Sequence, residues 1–356
     1  MTTAPSPSPL LSARPAGVGQ RSARRTLSRL LAMRELQLVL VTVVIFAITT
    51  AHASTFISAG NISFLLADAM AVAVIAVGQT IVVLTRGIDL SVAPILGTAA
   101  LAVGFLAQNH NLTPLEGLPL ALAIGAAMGL GNGFMVALAG IPPIIATLGS
   151  LAIYSGVQAI VAHSQEVVTL PPAYFNLGNG DAINGIPYLA LIGAGVAIAF
   201  ALILWRTRFG RSIYAVGNNA EAARRAGINV SRVTVSSYVL CGALAGLGGL
   251  IFLAHVGSAD STTGTDSNIQ LTAIAATLIG GTTLTGGKGG VIGSFLAAIF
   301  LEVALAALVE FRLNPIWEPA GVGVMILLAV LADPTTGRPS LRSALRMLLQ
   351  SQRART

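Results

Sequence analysis

Residues 207–232 read TRFGRSIYAVGNNAEAARRAGINVSR, and they stand between two long apolar runs, 186–206 and 233–255. Five arginines, Arg208, Arg211, Arg224, Arg225 and Arg232, fall in this one stretch of a chain that is only 9% charged. A loop this basic between two membrane-crossing segments belongs on the cytoplasmic side. Inside it, Glu221-Ala222-Ala223 followed by Gly227 reads as a short helix closed by a glycine. A membrane protein that presents such a helix to the cytosol docks something there, which points away from a self-contained channel.

The flanks of this segment set the class. The chain has 356 residues, 54% of them hydrophobic, with a mean hydropathy of +0.82. Apolar runs of about 20 residues recur along it, and that length matches the hydrocarbon core of a bilayer. The spacing predicts an all-α membrane protein with ten spans, at roughly 36–56, 62–84, 91–108, 118–139, 143–162, 186–206, 233–255, 269–283, 290–311 and 316–332. The eighth is short and flanked by glycines, so it is expected to be tilted or partly re-entrant. With the N-terminus inside, ten spans return the C-terminus inside. Six arginines, Arg14 through Arg34, then lie in a basic cytoplasmic arm, residues 1–34, rich in Pro, Ser and Ala and expected to be disordered. Five more, Arg338 through Arg355, lie in a basic tail, residues 334–356. Of the 20 Lys and Arg, only Arg312 falls outside. Ala51-His52-Ala53 resembles a signal-peptidase site, but the polar stretch ahead of it is too long for an ordinary signal peptide.

The same composition excludes several functions. A charge of +7 carried by loops and termini, with 5% aromatics, fits membrane topology rather than nucleic-acid binding. The single Cys241 lies in a predicted span and reads as small apolar packing. Four His, one Cys and thirteen acids show no metal-ligand or triad spacing, so neither a metal, a cofactor nor a catalytic residue is expected.

Three further segments carry polar or glycine-rich patterns. Thr85-Arg86-Gly87-Ile88-Asp89-Leu90-Ser91 joins spans two and three. Asp89 and Ser91 can contact a polyhydroxylated solute, although Asp89 is also placed to cap span three. Gly125, Gly129 and Gly133 repeat every fourth residue, a smooth face for a close helix neighbour. Asn132, between the last two, is either packing glue or pathway lining. Pro142-Pro143 starts the next helix, which carries Thr147. The loop 163–185, with Pro171-Pro172 and Tyr174, is either a small outer cap or an ordinary loop. Finally, residues 274–290 read IAATLIGGTTLTGGKGG. A phosphate-binding loop needs a glycine six positions before its lysine and Ser or Thr directly after it. Around Lys288 those positions are Thr282 and Gly289, so a tight turn or broken helix is expected and ATP binding is not.

Together these motifs resemble the integral-membrane permease of the monosaccharide-type bacterial ABC importers, the ribose, xylose, arabinose and galactose group. The resemblance runs from about residue 60 to residue 333. The family pattern "GIDLSVG" is matched by Gly87 to Ala93, and "GxxNG" then "PPFIATLG" by Gly129 to Gly133 and Pro142 to Gly149. "GxxxYAxGGNxxAARxxGI" is matched by Gly210 to Ile228, and "AIAAxxxGGTSLxGGxG" from Ala273 to Gly289. The chain departs from the pattern at Ala93-Pro94 and at Gln270-Leu271-Thr272, where many members carry Glu-Leu-Asp. The loop from Gly264 to Ala273 is also two residues longer.

The resemblance implies a multi-pass protein of the bacterial inner membrane, working with a second permease copy, cytoplasmic ATP-binding subunits and an extracytoplasmic sugar-binding protein. It carries over Asn218, Glu221, Ala222, Ala223 and Gly227 as contacts to the ATPase. Asp89, Ser91, Asn132 and Thr147 are candidates for the substrate pathway. A nucleoside or branched-chain amino-acid cargo is the alternative within this class. An ion-coupled secondary carrier is the alternative outside it. That second reading rests on Asp68 and Glu302, two acids in predicted spans with no basic residue expected at matching depth.

Overall fold

The computed structural model describes residues 34–332 except Asn184. The arm before Arg34 and the tail from residue 333 onward, with most of their arginines, lie outside the described residues. Thirteen α-helices dominate what is described. Eight are long and apolar enough to cross a membrane: α1 (Arg34–His52), α2 (Ala59–Leu84), α3 (Val92–His110), α4 (Pro114–Ala137), α5 (Pro143–Ala162), α7 (Tyr188–Arg206), α10 (Val230–Val256) and α12 (Val291–Glu310). Each falls on a predicted span. The eighth and tenth predicted spans are shorter helices, α11 (Ile269–Ile279) and α13 (Glu318–Ala332). At 1.5 Å per residue α11 is about 16 Å long, roughly half a bilayer core. The short helices α6 (Pro172–Asn179), α8 (Arg208–Asn218) and α9 (Ala220–Arg225) fill the connections.

Local chemistry fixes many of the ends. Thr113 and Glu116 form a reciprocal capping box at the start of α4, with Pro114 in the first turn, so this helix begins four residues before the expected boundary. Asn229 caps α10 by accepting from the Arg232 N–H at 2.9 Å. The expected N-cap at Asp89 is corrected. Ser91 holds the cap position of α3 and makes no side-chain cap bond, while Asp89 accepts from the Ser91 N–H and hydroxyl ahead of the helix. The bond closes an Asx turn, which leaves the first turn of α3 uncapped by Asp89.

Three helices form the centre. Of the most apolar stretch of α2, 83% is buried, of α3, 72%, and of α10, 67%; for α1 the figure is 6%. α10 packs against α4, α2 and α3, and α2 also meets α12, α7 and α11. The α4–α10 contact is the glycine face read from the sequence. A Cβ at Gly129 would sit 2.3 Å from the Tyr238 carbonyl oxygen, and one at Gly125 only 2.0 Å from that of Gly242. Gly242 and Gly246 return the contact onto Gly125 and Ala121. Backbone thus lies on backbone, which only residues without a side chain permit.

The loop 163–185 is folded. It contains α6, whose Tyr174 is buried, and β1 (Asp181–Ile183), which pairs antiparallel with β2 (Ile186–Pro187). A bridge between Val167 and Ala259 ties it to the loop after α10. Burial pushes the Tyr174 hydroxyl up to about 12, with the nearby Glu116 carboxylate adding to the shift.

Candidate functional site

The segment 207–228 is a pair of short helices, α8 and α9, that connects α7 to α10. Thr207 caps α8 by accepting from the Gly210 N–H at 3.1 Å, and Asn219 caps α9 by accepting from the Ala222 N–H at 3.0 Å. α9 stops in a left-handed turn: Gly227, at φ +84°, donates to the Arg224 carbonyl, and Ile228 donates to that of Ala223. Nothing lies within 4 Å of a Cβ built on Gly227, so its glycine answers to the backbone angle and not to crowding. Glu221, Ala222 and Gly227 are exposed, whereas Ala223 is buried and seats the helix on the bundle. Glu221 pairs with Arg225 at 3.2 Å on the open surface.

This pair of helices is tied down at Gly217 and Asn218, and the tie comes from residues far away in sequence. Arg86 donates from Nε to the Gly217 carbonyl and from Nη2 to the Asn218 carbonyl, each at 2.7 Å. These are carbonyls left open at the C-terminus of α8, where a cation is favoured. The glycine-rich loop closes the other side. Gly287 donates to the Leu84 carbonyl at 3.0 Å, Asn218 Nδ2 reaches the Gly287 carbonyl at 3.5 Å, and the Tyr214 hydroxyl donates to the Gly289 carbonyl at 2.9 Å. Burial pushes the Tyr214 hydroxyl above its ordinary value, which keeps it a donor. Gly286, Gly287 and Gly289 all have positive φ, the break expected of this run.

Arg86 itself sits at φ +68°. It donates to the Val83 carbonyl, and Gly87 donates to that of Val82, so α2 ends in a Schellman motif with arginine in the left-handed position usually given to glycine. For a residue with a Cβ that conformation costs roughly 1–2 kcal/mol.

Three residues on, the same loop enters a buried cluster. Asn132 of α4 donates from Nδ2 to Ser91 Oγ at 2.7 Å and to Asp89 Oδ2 at 3.2 Å. Ser150 of α5 donates to Asn132 Oδ1, and Thr147 donates to the Ile88 carbonyl at 3.0 Å. The Gln79 amide brackets the Asp89 backbone, accepting from its N–H at 3.0 Å and donating to its carbonyl at 3.2 Å. The four pathway candidates Asp89, Ser91, Asn132 and Thr147 therefore meet at one point, and each is fully buried. For Asn132 the geometry is that of glue: its amide joins α3, α4 and α5. Gln79, Ser150 and the carbonyl contacts of Arg86 are not among the expectations from sequence. An amide in an apolar span was the signal for Gln79, and no local signal marks the other two.

At the opposite end, the loop after α10 is rich in hydroxyls. Asp260 is partly desolvated, which raises its carboxyl, but hydrogen bonds from Thr262 and Thr263 outweigh this and hold it below the usual carboxylate range. Gln158 of α5 donates to the Thr263 carbonyl at 3.0 Å. A cavity of about 310 Å³ opens beside this loop, lined by Glu166, Asp260, Thr262, Thr263, Asp266 and Ser267. The expectation of no base at the depth of Asp68 is corrected: His255 Nε2 lies 3.7 Å from Asp68 Oδ1, and the Asp68 side chain is 41% exposed. Cys241 is free and buried beside the α2–α10 contact.

The chain is 35% identical to the autoinducer 2 import system permease protein LsrC of Klebsiella pneumoniae over 304 residues, 85% of this chain and 87% of the relative. It is 36% identical to the ribose import permease protein RbsC of Escherichia coli over 316 residues, 88% and 97% of the two chains. LsrC of Salmonella typhimurium is 32% identical over 320 residues, 90% of each chain. No solved structure matches. Residues 61–331 match the family described as branched-chain amino acid transport system, permease component, and the chain belongs to that family of membrane permeases.

Proposed function

We propose that this chain is the membrane-spanning subunit of an ATP-driven importer that moves a monosaccharide or related polyol into the cytoplasm. The observation that carries this reading is the exposed helix α9, capped at both ends and anchored to the bundle by the Arg86 bonds. Two relatives named for ribose and autoinducer 2 import favour a small polyhydroxylated cargo over an amino acid. ATP hydrolysis then belongs to separate subunits. All ten apolar helices, α11 and α13 included, cross or enter the membrane, with both termini in the cytoplasm, because this puts 19 of the 20 basic residues inside. Asn218, Glu221, Ala222 and Gly227 form the surface met by an ATP-binding subunit, and Ala223 supports it from beneath. The contribution of Asp89, Ser91, Asn132 and Thr147 to the pathway is positional: they fix the inner ends of α3, α4 and α5. The hydroxyl-rich loop 257–268 faces the binding protein. A second copy of the chain, set in lipid, covers the exposed Gly149, Ala152, Gly156 and Ala159 face of α5.

A tagged chain purified from its native membrane in mild detergent should bring down an ATP-binding subunit with ATPase activity. Glu221→Arg and Gly227→Val should lose that partner while the chain itself stays intact. Recovery of a lone, ATPase-free oligomer from the unmodified protein would overturn the reading. D-ribose uptake by the reconstituted complex then tests the cargo.

A further inference from the structure

We propose that Arg86 is the strut that carries movement of the α8–α9 segment to the buried Asp89 cluster. The inference rests on the reading of that segment as the ATPase contact. One loop of seven residues, Thr85 to Ser91, ends in both places. At one end the Arg86 fork holds the last carbonyls of α8, and at the other Asp89 and the Ile88 carbonyl are held by Ser91, Asn132, Gln79 and Thr147. The two ends are three residues apart, so slack between them is at most about 10 Å of chain. That slack is removed by the Schellman turn, by Gly87 packed on Tyr238, and by Gly286 packed on the Arg86 stem. Turn chemistry alone favours glycine at position 86. An arginine there is explained by its side chain, whose planar fork matches two adjacent carbonyls. Among the described residues no carboxylate pairs with it.

Arg86→Gly suits the turn and removes the fork together with the stem packed on Gly286, whereas Arg86→Lys keeps the stem and removes only the fork. Cysteines replacing Arg208 and Leu138, both exposed and outside the ATPase contact, carry spin labels at the start of α8 and at the end of α4 beyond Asn132. The labelled chain is studied in its full complex, without nucleotide and with ATP. With Arg86 present the Arg208–Leu138 distance should agree between the two states to within about 2 Å, the scale of a packed-helix shift. In Arg86→Gly it should become dependent on nucleotide, and Arg86→Lys should lie between. A distance that depends on nucleotide with Arg86 present, or that stays constant in Arg86→Gly, overturns the proposal. Failure of the coupling reading is seen separately, as absence of a cross-link from the Ala222→Cys chain to an ATP-binding subunit.

Discussion

Helices α4 and α5 follow one another in the chain, both carry glycines, and the two sets have opposite surroundings. On α4, Gly125, Gly129 and Gly133 press against the backbone of α10. On α5, Gly149 and Gly156 have nothing within 4 Å of an added Cβ. The lesson is that glycine spacing marks a surface meant for close approach, without saying whether the neighbour lies in the same chain. For α4 the neighbour is α10. For α5 the face is open within the chain, and it is the face that the second copy proposed above would cover.

Asn132 lies between Gly129 and Gly133, so the strongest way to break the α4 side is to remove its amide. Asn132→Leu leaves the buried Asp89 carboxylate and the Ser150 hydroxyl short of partners. It should cost about 3 kcal/mol, the upper end for buried polar groups that lose a partner, read as a large drop in the midpoint of thermal unfolding in detergent. A stable Asn132→Leu protein would show that the cluster is dispensable to the fold. Next in size is Gly129→Ala. Its methyl group would meet the Tyr238 carbonyl, and the helices must part, at a cost of about 1–3 kcal/mol. The same substitution on α5 sharpens the contrast. Gly156→Ala meets open space within the chain and improves helix propensity, so the midpoint should hold or rise by the equivalent of up to about 1 kcal/mol. Equal losses from Gly129→Ala and Gly156→Ala would erase the distinction between the two helices.

Much of this architecture is legible in the sequence because a bilayer imposes length. A run of 20 apolar residues has few alternatives to a helix, and eight of the ten predicted spans coincide with helices long enough to cross a membrane, the other two with the shorter α11 and α13. Their ends were less legible where short-range chemistry shifts them. The Thr113–Glu116 capping box pulls α4 forward, and Gly280-Gly281 stops α11 after Ile279, four residues short of the expected boundary. Helix α9 is legible because its caps are local: Asn219, three residues ahead of Ala222, and Gly227 after Ala226. The clamp from Arg86 to Gly217 spans 131 positions, and the bond from Asn132 to Asp89 spans 43. At those separations the sequence shows residue types but not partners. Asp89 illustrates the limit: an acid before a helix reads as a cap, yet its carboxylate is shared with Ser91 and Asn132, and only the tertiary fold reveals that.

The α4–α10 seam has a mechanical consequence. Where side chains interdigitate, two helices can slide by exchanging rotamers. Between Gly129 and Gly242 there are no rotamers to exchange, and a small lateral step drives a carbonyl oxygen into a neighbouring backbone. From Ala121 to Gly133 on one side and Val235 to Gly246 on the other, the two helices are therefore locked together as a single thick beam. Any rocking of the bundle has to be taken up by joints at its ends. One such joint is available where α4 leaves the beam, at Gly140 with φ +71° and free space around it, directly before Pro142-Pro143 restarts the chain as α5. Next to this seam α5 is held in a different way, by side-chain bonds from Thr147, Ser150 and Gln158 and not by backbone laid on backbone.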